Sequence, residues 1–579
     1  MRYAIEKAKE EIKKLLKNNS LEIEIPPENI EADLAVPVFK LAVKKNPNEF
    51  AQELAKKIKL DGTLFSKVEP KSAYLNFYFN NEIVTQEIID DFRSNKKYGS
   101  TDLGKGKTIV VDYSAPNIAK PFSIGHLRST IIGQSLYNIY SYLGYKVIGD
   151  NHLGDWGTQF GKLIAAYKMW GNKEKINKEP IKELLELYVK FHIEAEEDES
   201  LNDEARKWFK KLETGDKEAL EIWQWFKDIS LNQFDTIYKL LDVKFDVILG
   251  ESFYKNDLDR VVGRLEKEKI AKWEIALDKD GEEIRSGEKV LLVNLEKFGI
   301  DTPLLIKKSD GTSLYATRDL ATILYRIKTW QPSSILYIVG SEQKLYFQQL
   351  FKVFEIGYKN DHKTPPLLIH IPFGLIRLPE GKMSTRKGRV IFLEDVLNEA
   401  IKRVSDILNE RSMNKKEKEE VAKIVGIGAI KYADLSQNRI HDVVFDWKKI
   451  LNLKGNSGPY LQYQYVRINS ILSKAKFNPS ISQSRTGRWL TKKEEIDLIK
   501  FIARFPEIIK SAASSYLPHI LANYLFELAE KFSQFYEEVS VLKANSQQLI
   551  ASRLYLCYMT AQVLKQGLDL LGIKVPEKM

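Results

Sequence analysis

Cysteine is almost absent: the 579 residues contain one, Cys557. A lone thiol excludes an internal disulfide and a cysteine-built zinc site, and it suits a reducing cytoplasm. Long apolar runs are absent as well. No stretch approaches the roughly 18 uncharged apolar residues that a membrane span requires. The opening MRYAIEKAKEEIKKLLK reads as an amphipathic helix and lacks the apolar centre of a secretion signal. Internal repeats and low-complexity tracts are missing too. What is present is an ordinary globular composition, 44% hydrophobic and 29% charged. The chain is too long for one core, so about three domains are expected. The net charge of +10 favours nucleic acid only where the cations cluster, and otherwise serves solubility.

Residues 1 to about 100 mix helical spacing (Arg2 to Leu16, Glu49 to Ile58) with short alternating strands such as SAYLNFYFN. The turn-rich NKKYGSTDLGKGK then reads as a linker. From Thr108, the strand-like runs TIVVDYS, YKVIGDNHLG, SILYIVG and LLIHIPFGLI alternate with helical segments, the pattern of a parallel sheet covered on both faces. Further strand-like pieces stand at FDVILGESFY and EKVLLVNLEKFG. Between the halves of the sheet, about Leu163 to Leu241 is charged, helical and tryptophan-containing, and reads as a helical insertion. From about Lys415 to Met579 the spacing is nearly all helical, with one polar break, NPSISQSRTGRWLTKK. That region is expected to be a helical bundle.

Two stretches carry the chemistry. In VVDYSAPNIAKPFSIGHLRST, Val110 to Thr130, a buried-type strand ends in a proline-flanked loop that brings Gly125 and His126 to a helix start. Ligands of open parallel sheets sit beyond the carboxyl ends of strands, where helix N-termini offer free amides. Gly125 permits close backbone approach and His126 can donate to a phosphate; a tight packed turn is the other reading. In RLPEGKMSTRKGR, five cations (Arg377, Lys382, Arg386, Lys387, Arg389) surround the hydroxyls of Ser384 and Thr385. A lysine loop suits a pyrophosphate leaving group, whose charge grows in the transition state. A solvated basic loop is the alternative.

In this order on this kind of sheet, the pair resembles the signatures of class I aminoacyl-tRNA synthetases, SIGH standing for the HIGH motif and KMSTR for KMSKS. The strings SAPNIAKPFSIGHLRSTIIG, NHLGDWGTQFGKL, SDGTSLYATRDLA, GKMSTRKG, GNSGPYLQYQYVR and LLGIKVPEKM narrow it. Together they resemble the arginyl-tRNA synthetase family over about Glu22 to Met579.

The resemblance implies an α/β Rossmann-type catalytic domain (106–410, insertion about 163–241), an N-terminal α+β domain (1–105) and an all-α anticodon-binding bundle (411–579). It implies ATP-dependent formation of arginyl-adenylate and transfer to the 3′ end of tRNA(Arg), with ATP as its Mg2+ complex, no protein-bound zinc and no editing. A cytoplasmic monomer is expected. The catalytic residues implied are Ser123, Gly125, His126, Lys382, Ser384 and Lys387. For ATP they are Gly125, His126, Gly340, Glu342, His370, Phe373, Gly374, Leu375 and Lys382.

A guanidinium is planar, always charged and has five donors, so its pocket needs fixed carboxylates and acceptors. Tyr315 and Asp319 stand four apart on one helical face; a plain surface helix has the same spacing. The resemblance makes Asp319 the partner of the guanidinium beside Tyr315, with Asp112 and Asn117 accepting from the α-ammonium and Gln343 contacting the substrate. Asn151, His152 and Asp155 fall along the pocket wall. For tRNA it implies Tyr460, Tyr463 and Arg467 on one helical face, with Tyr536 and Met579, as stacking planes and a phosphate cation. Tyr74 and Asn76 are the candidate contacts of the N-terminal domain.

The chain departs from the family pattern in four places. Ser123 replaces the first motif histidine, Tyr346 a common histidine, Ala115 a frequent serine, and Thr385 the second KMSKS lysine. The Ser123 change leaves a second reading open, a tRNA-binding paralogue with lost or weakened catalysis.

Overall fold

The computed structural model describes residues 2–27, 29–42, 45–275, 287–377, 391–409, 411–479 and 486–579. Near the N-terminus, strand Tyr74–Phe79 lies between Leu34–Pro37 and Phe65–Lys71 in an antiparallel sheet. Leu34, Val36, Leu75, Phe77 and Phe79 are buried, the alternation expected when one face of a sheet meets a core. Helices Ala4–Leu15, Pro47–Lys57 and Asn81–Ser94 accompany it. The middle one starts on Asn46, whose side chain accepts from the Asn48 N–H, with Pro47 as first helical residue.

The central sheet is wholly parallel. In spatial order its strands are Leu367–Phe373, Ser334–Gly340, Thr108–Asp112, Lys146–Asn151 and Val247–Ile248. Ile109, Val110, Val111, Ile335, Leu336 and Ile338 are all buried, because helices cover both faces. The chain leaves Thr108–Asp112 toward one side, through helix Ile124–Tyr142, and returns on the other at Ser334–Gly340. The winding thus reverses between these two strands, and open parallel sheets bind ligands beyond the carboxyl ends at such a point.

EKVLLVNLEKFG does not join this sheet. Lys289–Val293 pairs antiparallel with Lys272–Ile275 and Leu304–Lys307. Leu291 and Val293 face the core they share with Val110, Ile335 and Leu320, whereas Val290 and Leu292 close on Leu305 in a small core of their own. Burial on both faces gave this strand the continuous apolar run of a parallel one.

The insertion carries helices Thr158–Trp170, Lys173–Lys178, Pro180–Glu197, Ser200–Thr214 and Lys217–Leu241. Helices follow to the C-terminus, among them Leu393–Leu408, Lys415–Leu435, Gly458–Lys474, Pro518–Glu538 and Gln547–Leu570. Lys431 joins the two regions: its buried ammonium donates to the carbonyls of Leu241 and Gly572, at the ends of one helix from each. Cations are favoured at helix C-termini. Desolvation nevertheless pushes the Lys431 pKa down to about 8.

A buried ion cluster fixes the sheet to the helix behind it. Arg326, on helix Tyr315–Trp330 and fully buried, donates to Asp112 at 2.7 Å and to Asp150 at 2.8 and 3.0 Å. Removing one partner of such a cluster strands the others in a low-dielectric interior. Arg326→Met should lower the unfolding free energy by about 3–5 kcal/mol, read as a lower urea midpoint. An unchanged midpoint would mean that the two aspartates do not depend on this guanidinium.

Candidate active site

The SAPNIA loop departs from ordinary backbone geometry. Ser114, Ala115 and Ala119 have φ of 73°, 46° and 58°, three non-glycine residues in the left-handed region. Such strain persists only where surroundings over-determine it. Here the Ser114 N–H donates to Ser129 Oγ at 3.0 Å, Ala115 N–H to Asn151 Oδ1 at 3.0 Å, and Ala119 N–H to Ser230 Oγ at 2.9 Å. Asn151 is thus spent on holding the loop. Asp155 is likewise engaged, by Lys227 at 2.7 Å and by the amide and hydroxyl of Ser252.

Helix Ile124–Tyr142 begins with Ser123 as its N-cap. His126 Nδ1 accepts from the Ser123 N–H at 3.1 Å and lies 3.2 Å from Ser123 Oγ. An accepting Nδ1 places the proton of the neutral ring on Nε2, the donor left for a ligand. Desolvation, reinforced by the Lys120 charge, lowers the His126 pKa to about 4. Serine is among the best N-caps and histidine is not among the preferred ones. Ser123 occupies the N-cap position with its hydroxyl against His126, and Gly125 is exposed.

Lys382, Ser384 and Lys387 fall in 378–390, outside the described residues. Both flanks of that segment are fastened to the same helix start. After it, Ile391 accepts from the Ile124 N–H at 3.2 Å and Leu393 N–H donates to Phe122 at 3.0 Å. Before it, Arg128 donates to the Gly374 carbonyl at 2.7 Å and to that of His441 at 2.9 Å. Arg128 is 1% exposed, pairs with Asp434 at 2.8 Å and lies over the Phe373 ring. Gly374 admits no side chain, since a Cβ would stand 2.6 Å from the His441 backbone.

Strand register puts Gly340 beside Phe373 and Tyr337 beside His370. The His370 ring stacks on Phe347 at 4.5 Å and its Nε2 donates to the Val339 carbonyl at 3.1 Å. Glu342 and Gln343 follow on an exposed single turn, and the Leu375 N–H donates to Asp442 at 2.7 Å.

Tyr315 opens its helix 59% exposed, and Asp319 lies one turn further, half-buried. Asp319 Oδ2 accepts from the Tyr346 hydroxyl; Oδ1 faces His152 Nε2 at 3.8 Å. Burial raises the Asp319 pKa. A second acid, Glu251, stands near and escaped the sequence reading. It is largely buried, paired with Arg318 at 3.2 Å, and desolvation raises its pKa to about 7. Its one sequence signal was its place just after the strand Val247–Ile248. Asp112, expected to be a substrate acceptor, is instead occupied by Arg326 within the sheet. Asn117 lies against Gly154, where a Cβ would meet its Oδ1 at 2.0 Å.

Of the tRNA candidates, Tyr463 and Met579 line one apolar cavity of about 280 Å³ with Pro459 and Leu453. Arg467 lies 4.5 Å over the Tyr536 ring, and Tyr460 packs against Phe526. Tyr74 is half-buried. Asn76 is not a surface residue: it is 4% exposed, because its strand is the central one of its sheet.

The chain matches the class I (R) tRNA synthetase catalytic-domain family over residues 88–447. It also matches the arginyl tRNA synthetase N-terminal domain over 1–79 and the DALR anticodon binding domain over 461–579. It is 45% identical over 577 residues to an arginine–tRNA ligase of Clostridium perfringens, covering 99% of each chain. To that of Halothermothrix orenii it is 43% identical over 560 residues, 96% of this chain and 95% of the other. Among solved structures it superposes on arginyl-tRNA synthetase of Plasmodium falciparum with TM-score 0.77 at 26% identity, over 99% and 97% of the two chains. The Thermus thermophilus arginyl-tRNA synthetase gives 0.80 at 24% identity, over 98% and 99%.

With a folded pKa near 4 against 6.5 for the free side chain, His126 stays neutral down to about pH 5. The unfolded chain then binds the extra proton, so this histidine's contribution to stability is complete above pH 6.5 and is lost as pH falls toward 4. Nitrogen NMR of the labelled imidazole should show the neutral Nε2–H form at pH 6. A ring already charged at that pH would contradict the assignment.

Proposed function

The chain belongs to the arginyl-tRNA synthetases of class I, and from that membership we propose that it activates L-arginine with ATP and esterifies the 3′ end of tRNA(Arg). The observation that carries this reading is the fastening of both flanks of 378–390 to the Ile124–Tyr142 helix start, at the strand ends where the acids Asp319 and Glu251 stand. Ser123 as the mark of a lost activity finds no support: the relatives at 43–45% identity bear the name arginine–tRNA ligase.

In the first step an oxygen of arginine's own carboxylate attacks the α-phosphorus, and pyrophosphate leaves. In the second a ribose hydroxyl of the tRNA attacks the adenylate carbonyl, and AMP leaves. No side-chain nucleophile is needed, so catalysis is positioning and charge stabilisation. Asp319 takes the guanidinium beside Tyr315 and near Glu251. Asn117 and Gln343 orient the α-ammonium and carboxylate, while Asp112 acts through Arg326 in shaping the strand end. Gly340 and Glu342 meet the ribose, and His370, Phe373, Gly374 and Leu375 the adenine. The Gly125 backbone and His126 Nε2–H meet the phosphates, and Lys382, Ser384 and Lys387 the departing pyrophosphate, with magnesium arriving on ATP.

The domain division that suits this work is 1–105, 106–410 and 411–579. Tyr460, Tyr463, Arg467, Tyr536 and Met579 offer unstacked anticodon bases planes and a cation, and Tyr74 remains the candidate of the N-terminal domain. The enzyme works as a monomer in the cytoplasm, where Cys557 stays reduced.

Pyrophosphate exchange with tRNA present, run across the amino acids, tests the assignment: arginine alone should support it. Asp319→Ala should raise the arginine KM by about a hundredfold, the loss of a buried charge partner worth about 3 kcal/mol. Exchange with another amino acid, or a normal KM in that variant, would overturn the reading. Tyr463→Ala should weaken tRNA binding by about tenfold, the value of one stacked base, with exchange at saturating tRNA unchanged. Unaltered tRNA affinity would remove Tyr463 from the interface.

A further inference from the structure

One polar atom beside Asp319 has no task. His152 follows the Lys146–Asn151 strand, and its Nδ1 stands 3.0 Å from the Leu249 carbonyl oxygen. A carbonyl accepts and cannot donate, so Nδ1 carries a proton, and in the neutral ring Nε2 presents a lone pair. That Nε2 is buried, has no hydrogen-bond partner among the described residues, and faces Asp319 Oδ1 at 3.8 Å. In that neutral form two acceptors stand face to face, with no N–H between them among the described residues.

Neither is free to turn away. Asp319 Oδ2 is held by the Tyr346 hydroxyl, at one of the positions where this chain departs from its family. The imidazole is held by Leu249 and by the Tyr254 ring, 5.6 Å away. A buried acceptor without a donor costs free energy, and a ligand that brings N–H groups recovers it.

We propose that His152 is a further specificity-determining residue of the arginine site, its Nε2 accepting one guanidinium N–H while Asp319 Oδ1 accepts another. This rests on the arginine reading of the pocket. A rigid fork of five donors can serve two acceptors at a fixed spacing, whereas the ammonium of lysine is a compact, strongly hydrated point charge. The imidazole adds an acceptor without adding a third carboxylate to a pocket that already desolvates Asp319 and Glu251. His152 therefore favours the fork over the point charge.

The test is pyrophosphate exchange with tRNA present, with KM measured for arginine and for ATP in the wild type, His152→Ala and His152→Gln. Alanine removes the acceptor, so the arginine KM should rise about tenfold or more while the ATP KM and kcat stay near wild type. Glutamine supplies a carbonyl oxygen and should recover part of the loss. An alanine variant with a normal arginine KM overturns the proposal. So does one whose two KM values and kcat move together, or a glutamine variant no better than alanine. A wild type that ignores arginine would instead overturn the reading of the pocket, which keeps the two failures apart.

Discussion

The buried guanidinium of Arg128 is the constraint on which the catalytic geometry depends. It sits one turn into the helix that begins at Ser123, and a charge there must be met from several directions. The partners come from far along the chain: the carbonyls of Gly374 and His441, and the carboxylate of Asp434 on the helix Lys415–Leu435. One side chain thereby ties the SIGH helix to the strand that precedes 378–390 and to the C-terminal bundle. Moving the bundle would move the carbonyl that Arg128 grips. Lys431 makes a second tie, from the same bundle helix to the end of the insertion. Anticodon-side and catalytic-side elements are therefore joined by buried charge rather than by apolar packing alone.

Two desolvated acids, Asp319 and Glu251, stand beyond that helix. Burial raises the pKa of Asp319 and brings that of Glu251 to about 7. The folded protein binds protons at these acids more readily than the unfolded chain does, so their contribution to stability is present at low pH and is lost as pH rises through their folded pKa values. On the proposed reading, a guanidinium beside them adds a second cation to that of Arg318 and lowers both. The strained Ser114–Ala119 loop, fixed by Ser129, Asn151 and Ser230, belongs to the same design.

Much of this was legible in the residues. The parallel strands announced themselves because both faces are buried, and the signature strings fixed the order of the parts. The same both-face burial gives Lys289–Val293 its apolar run, and the sequence does not say that it pairs in a separate antiparallel sheet. Ser123 reads as a departure from the motif, and its contact with His126 Nδ1 emerges only in the fold. Asp112 read as free because its partner, Arg326, lies on a helix 214 residues further on. Glu251 gave no pattern of its own, since what distinguishes it is desolvation, a property of its neighbours. Asn76 was misplaced because an alternating strand does not say whether it lies at the edge of its sheet or at the centre.

On the proposed reading the adenylate spans from the Ile124–Tyr142 helix start to the acids beside Tyr315. A structure with a non-reactive arginyl-adenylate analogue tests it most directly. The guanidinium should lie within hydrogen-bond distance of Asp319, with the adenine against His370 to Leu375 and the phosphate at the Gly125–His126 turn. An analogue seated elsewhere, or one with its guanidinium turned away from Asp319, would contradict the account.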